Sequence, residues 1–149
     1  MVQGLPMGLV RHIPLTLALS NMSDKEVWPW KDFTQSEMAC RHCGETFHWP
    51  EFMEALQCAR SDVGRPFHIV SAHRCSLHNA RVGGAPLSQH LRLAVDIDLA
   101  GHDRIELLVA LRRAGFRGFG FYQTFIHVDL GKSRQWYGSS KAEKLWRQT

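Results

Sequence analysis

Two short apolar runs, Ala94-Val95-Asp96-Ile97-Asp98 and Phe125-Ile126-His127-Val128-Asp129, constrain this chain more than any other part of it. Each reads as a β-strand, in which successive side chains point to opposite faces. Ala94, Asp96 and Asp98 therefore share one face, with Val95, Ile97 and Leu99 on the other; Phe125, His127 and Asp129 likewise oppose Ile126, Val128 and Leu130. A carboxylate inside an apolar strand is costly unless it is paired or binds a metal. The fold must then turn both polar faces toward one place while both apolar faces fill the core. His90, in Ser88-Gln89-His90, supplies a second imidazole just upstream. Two imidazoles and one carboxylate suit a zinc ion that keeps its fourth position open, which marks a catalytic rather than a structural site. Asp96 is the carboxylate of this set, with Asp98 as its alternative.

The elements around these strands follow from local signals. Thr34-Gln35-Ser36-Glu37 fits a capping box and predicts a short helix to about Cys40, stopped near Gly44. Pro50 stands at a first helical position, and Trp49, Phe52, Met53, Leu56 and Ala59 follow at helical spacing. Phe67 to Ser71 is a β-rich run, and Gly83-Gly84 with Pro86 marks the loop into His90. Asp103 caps a helix whose Ile105, Leu108, Val109 and Leu111 are expected inward, ended by Gly115. Gly118 to Tyr122 and Phe125 to Leu130 read as a hairpin, and Trp136 closes the domain. Segregated helices and short strands predict an α+β fold, a small antiparallel sheet with flanking helices. The boundaries expected are an extension over 1–30, one domain over 31–140 and a tail over 141–149.

At 149 residues the chain can bury one substantial core. No run approaches the roughly 18 apolar residues of a membrane span. A formal charge of +4 favours anionic partners, but Lys and Arg never exceed two in a row, which argues against a nucleic-acid arm. Ile13 to Ser20 is apolar and ends in a small-residue pattern, so it is read either as a short secretory signal or as part of an extension packed on the domain. Cys40, Cys43, Cys58 and Cys75 leave the compartment open. Cys40-Arg41-His42-Cys43 is a CxxC pair; a structural zinc would need two more ligands, from His42, His48, Cys58 or Cys75. Disulfides and free thiols are the other readings.

Taken in order, Ser71-Ala72-His73-Arg74, Asn79, Gly83-Gly84, Ser88-Gln89-His90, Ala94-Val95-Asp96-Ile97 and Phe125-Ile126-His127-Val128-Asp129 resemble the zinc D-Ala-D-Ala carboxypeptidases and related murein endopeptidases. The resemblance runs from about Phe33 to Trp136. It implies the hedgehog/DD-peptidase fold, one zinc per chain and hydrolysis of peptidoglycan peptides containing a D-amino acid. It makes His90, Asp96 and His127 the zinc ligands, Arg74 the arginine near the substrate carbonyl or carboxylate, and Ser88 a residue that orients peptide or supports the first ligand. Asn79 and the glycine pair shape the loop. A monomer acting outside the cytoplasm is expected, in the periplasm, at the cell wall or carried by a phage-like particle.

Two positions depart from the family pattern. Asp96 lies six residues after His90 rather than the usual seven, with no glycine between them. Thr124 stands where several members carry an acidic residue, three positions before the last ligand. Asp129 and His73 are then the candidates for general base, Asp129 being equally suited to orienting a ligand. An inactive, zinc-stabilised peptide-binding module is the competing reading, favoured by those two departures.

Overall fold

The computed structural model describes residues 27–148. The Ile13–Ser20 segment lies outside the described residues. Trp28 and Trp30, placed in the extension by the sequence reading, belong to the domain. Trp30 is buried in the core and meets Trp28 edge-on, and the Trp28 indole donates to the Phe33 carbonyl at 2.7 Å.

The Thr34 capping box forms: its hydroxyl accepts from the Glu37 amide, and the Glu37 carboxylate accepts from the Thr34 amide at 2.7 Å. It starts α1 (Gln35–Met38). Pro50 opens α2 (Pro50–Val63), which buries Phe52, Met53, Leu56 and Ala59 and ends at Gly64 in the left-handed region. β1 (Ile69–Ser71) and α3 (Ser76–Arg81) follow, then a single 3₁₀ turn over Gln89–Leu91 that leads into β2 (Val95–Asp98). α4 (Arg104–Arg113) begins where Asp103 accepts from the amides of Ile105 and Glu106, both at 2.9 Å. β3 (Gly118–Phe121), β4 (Phe125–Asp129), β5 (Arg134–Tyr137) and α5 (Ser140–Arg147) complete the chain.

The sheet runs β1-β2-β4-β3-β5. The first three pairings are antiparallel and the β3–β5 pairing is parallel, so the α+β fold carries a mixed sheet rather than a purely antiparallel one. The connection over residues 130–133 carries the chain around the end of β3, where Arg117 bonds to both flanking strands: its amide to the Asp129 carbonyl and its carbonyl to the Arg134 amide. Val95, Ile97, Ile126 and Val128 are wholly buried on the face covered by α2 and α4.

Two expectations are corrected. In α4 the inward stripe is Leu107, Ala110 and Leu111, while Ile105 and Val109 are 41% and 40% exposed. The i, i+3, i+4 repeat from Leu107 is the one that meets α2; the stretch is apolar on most sides, so composition alone did not select it. The stretch taken as a tail forms α5, capped by Ser139, with Ala142 and Trp146 buried. The Trp146 indole donates to the Tyr122 carbonyl at 2.9 Å and its ring packs on Phe121.

The α4 assignment is tested by chemical denaturation of two truncations. Leu107→Ala should cost about 2–5 kcal/mol, whereas Val109→Ala should stay within about 0.5 kcal/mol.

Candidate metal centre

The antiparallel β2–β4 register sets Asp96 directly opposite His127. The third group comes from the 3₁₀ turn, where the Ser88 hydroxyl accepts from the His90 amide at 3.2 Å. His90 Nδ1 lies 2.6 Å from the Ala72 carbonyl. A carbonyl only accepts, so Nδ1 carries the proton and Nε2 presents its lone pair to the cluster. His127 is held the other way round, with Nε2 2.7 Å from the Asp129 carboxylate and Nδ1 facing Asp96 and His90.

The three inward atoms form a near-equilateral triangle. His90 Nε2 is 3.1 Å from His127 Nδ1 and 3.3 Å from Asp96 Oδ1, and His127 Nδ1 is 3.0 Å from Asp96 Oδ1. Tetrahedral zinc bonds of about 2.0–2.2 Å separate neighbouring ligand atoms by about 3.3 Å, so the residues present fit the ion. All three are buried. Burial resists ionisation of Asp96, yet the adjacent His127 and His90 imidazoles hold its carboxyl down at about 2. Burial likewise opposes charge on His127, but its bonds to Asp129 and Asp96 raise its pKa above the ordinary value. The cluster thus favours a positive charge at its centre, and binding a metal there would release the proton on Nδ1.

The missing residue between His90 and Asp96 does not open the site. The Arg92 amide donates back to the Gln89 carbonyl at 3.0 Å, and Leu93, 1% exposed, turns directly into β2. Asp98 is outside the cluster: it pairs opposite Phe125 and accepts from the Ala100 amide at 2.8 Å.

Asp129 is fully buried and fully engaged. Oδ1 accepts from Gly131 N at 2.8 Å and Arg134 at 2.9 Å; Oδ2 accepts from His127 and, at 2.8 Å, from Arg134. Burial pushes its pKa up, but these bonds drive it well below the usual carboxylate range. Four donors fill the carboxylate, which orients His127 and has no site left for a proton from water. His73 is also engaged elsewhere. Its Nδ1 lies 2.7 Å from the Arg92 carbonyl, and its ring packs on Phe47.

The cluster sits in a groove of about 440 Å³ lined by Arg74, Leu87, Ser88, Tyr122 and Trp136, among others. The Arg74 amide donates to the His90 carbonyl at 2.7 Å, and its guanidinium reaches Asn79 at 3.3 Å. Its Nε is buried with no hydrogen-bond partner, and Arg74 is one of the residues lining the groove. Gly84 is required beside it, since a Cβ there would lie 2.0 Å from the Asn79 oxygen. Trp136, Tyr122 and Arg134 are site residues that the sequence reading missed. The Trp136 ring lies 5.1 Å from that of His127, and its indole donates to the Tyr122 hydroxyl at 3.1 Å. The signal was in the neighbouring strand: Gly118 and Gly120 alternate with Phe119 and Phe121, leaving room on the polar face. Thr124 is exposed, and Asp96 is the one carboxylate among the described residues lining the groove.

Asp129→Asn should weaken zinc binding about 10–100-fold, as loss of a ligand-orienting carboxylate does elsewhere. Competition with a zinc chelator measures it; unchanged affinity would remove Asp129 from the site.

Comparison with known proteins agrees with this geometry. No curated protein matches the chain. A family model described as Peptidase M15 matches residues 31–129, which takes in His90, Asp96, His127, Arg74 and Asp129. Well over half of the 149 residues lie within that match, and the chain belongs to the Peptidase M15 family, whose membership supports a zinc metallopeptidase.

Proposed function

We propose that this protein is a zinc-dependent peptidase that hydrolyses peptidoglycan stem or cross-link peptides containing D-amino acids, and that it acts outside the cytoplasm, where that polymer lies. The observation that carries the reading is the triangle of His90, Asp96 and His127 opening into a groove lined by the Arg74 side chain. The ion would be held by His90 Nε2, Asp96 Oδ1 and His127 Nδ1. When bound, zinc supplies an activated water and polarises the scissile carbonyl.

The chain's own groups do the rest. Arg74 stays charged and offers a rigid fork to a peptide carboxylate or to the oxyanion as it develops. Its backbone amide is tied to His90, so guanidinium and ligand are set by one segment. Ser88 positions His90 through its cap, and Asp129 with Arg134 fixes the His127 tautomer. Leu87, 91% exposed, together with Phe125 and Trp136, gives the groove apolar surface for small side chains such as those of alanine.

One observation favours a second reading, a zinc-stabilised peptide-binding module. With Thr124 in the acidic position and Asp129 saturated, the described residues give the groove no carboxylate beyond Asp96 to accept a proton.

The two are separated by incubating the zinc-loaded protein with isolated peptidoglycan and analysing the released fragments. The peptidase reading expects release that is lost on chelation, restored by zinc and reduced about 100-fold or more in kcat/KM by Arg74→Ala, with Arg74→Lys failing to restore it. Free D-alanine would mark a carboxypeptidase, and new peptide ends an endopeptidase. Zinc-dependent binding to peptidoglycan with no release would establish the module instead.

A further inference from the structure

A second group of metal-binding side chains lies apart from the groove. The Sγ atoms of Cys40, Cys43 and Cys75 all lie within 4.8 Å of one another, and no described cysteine is in a disulfide. His42 lies beside this group: Nδ1 is 3.8 Å from Cys75 Sγ, and Arg81, which only donates, is 3.0 Å from Nε2, so Nδ1 carries the proton and donates to the sulfur. We propose that Cys40, Cys43 and Cys75 hold a second, structural zinc ion, with His42 as the fourth ligand once Nδ1 gives up its proton and the ring turns in toward the three sulfurs. Three thiolates and one imidazole are a standard closed zinc set.

The backbone is shaped for this. The Cys40 amide donates to the Glu45 carbonyl and the Gly44 amide to the Cys40 carbonyl, both at 2.8 Å, folding residues 40–45 into a tight loop. Gly44 sits at φ 77°, where a side chain is strained, so the residue after the CxxC pair has to be glycine-like. Cys75, brought in from the far side of β1, joins through its own amide, which lies 3.3 Å from Cys40 Sγ. The His78 amide in turn lies 3.4 Å from Cys75 Sγ. Burial opposes ionisation of Cys40, yet bonds from the amides of Cys75, Cys43 and His42 bring its pKa down to about 7. The Glu45 amide pulls the Cys43 thiol the same way, but burial and the neighbouring thiols prevail and raise it. Binding a divalent cation between these three sulfurs would release their protons.

The position gives the ion a purpose. Cys75 directly follows Arg74, and the Cys40 loop is otherwise joined to that segment by single hydrogen bonds such as His73 N to Met38 O at 3.4 Å. A zinc bridge would fix the backbone that carries the groove arginine.

The full-length protein, expressed with zinc and then reloaded with cobalt(II), tests this without reference to activity. Two zinc ions per chain and a thiolate-to-cobalt charge-transfer band in the near ultraviolet are expected, since the groove cluster has no sulfur. Cys43→Ser and Cys75→Ser should each weaken or abolish that band and bring zinc down to one. His90→Ala should keep the band. His42→Ala should keep the band but lower cobalt affinity at least tenfold; unchanged affinity would overturn the fourth ligand. One zinc with no charge-transfer band, or fewer than four titratable thiols in the metal-free unreduced protein, would overturn the site.

Discussion

The cross-strand pair of Asp96 and His127 is what the rest of the structure depends on. It exists because β2 and β4 pair with Val95 opposite Val128 and Ile97 opposite Ile126. Opposed residues on one face lie close enough for their side chains to interact directly. A one-residue slip of either strand would turn that strand over, driving its aspartate or histidine into the core and its aliphatic residues into the groove. Four wholly buried aliphatic side chains therefore lock the register that the metal ligands use. His90 needs only to be delivered to a place already defined, and the Ala72 carbonyl with the Ser88 cap does that.

Burying this much charge carries a desolvation cost of several kcal/mol per unpaired ion. Asp129 avoids it by accepting four hydrogen bonds, two of them from the fork of Arg134. That arrangement needs space over β3, where a Cβ on Gly118 would lie 2.1 Å from the Asp129 oxygen. A Cβ on Gly120 would lie 2.6 Å from the Trp136 ring. The run Gly118-Phe119-Gly120-Phe121 thus serves both faces at once. Phenylalanines fill the core, while the bare glycines let the side chains of β4 and β5 cross above them. The parallel edge strand follows from the same need, since it brings Arg134 beside Asp129 and Trp136 beside His127.

Much of this was legible in the sequence because it depends on period and capping. The alternation in β2 and β4, the Thr34 box, Pro50 and Asp103 each act within a few residues, and each appears as read. The choice of Asp96 over Asp98 needed the fold: both share a strand face, and only the β4 partner separates them. The α4 stripe was misread because Ile105, Leu107, Leu108 and Val109 crowd the helix, and packing on α2 selects among them. The base and orienting roles of Asp129 differ in whether its lone pairs are taken, and Arg134, five residues away in sequence, takes two of them. His73 bonds the Arg92 carbonyl through Nδ1, and it is not among the residues lining the groove, a placement that only the fold decides. Trp136 carried no periodic signal, and its place over His127 depends on an edge strand whose direction no local rule predicts.

Charge separates the two clusters of metal-binding groups, which lie at either end of one short segment. Ala72 holds His90, Arg74 faces the groove, and Cys75 joins the thiols. Two neutral imidazoles and one carboxylate leave a divalent ion with a net positive charge, and the nearby Arg74 adds to it. That sum suits a peptide carboxylate or a carbonyl oxygen gaining negative charge. Three thiolates instead exceed the charge of a divalent ion, and the Cys75 amide, 3.3 Å from Cys40 Sγ, offsets part of the excess. A closed, sulfur-rich set has no position left for substrate, whereas the open nitrogen and oxygen set has one. The ligand chemistry alone therefore assigns reaction to the groove and restraint to the cysteine loop, with Arg74 positioned between them.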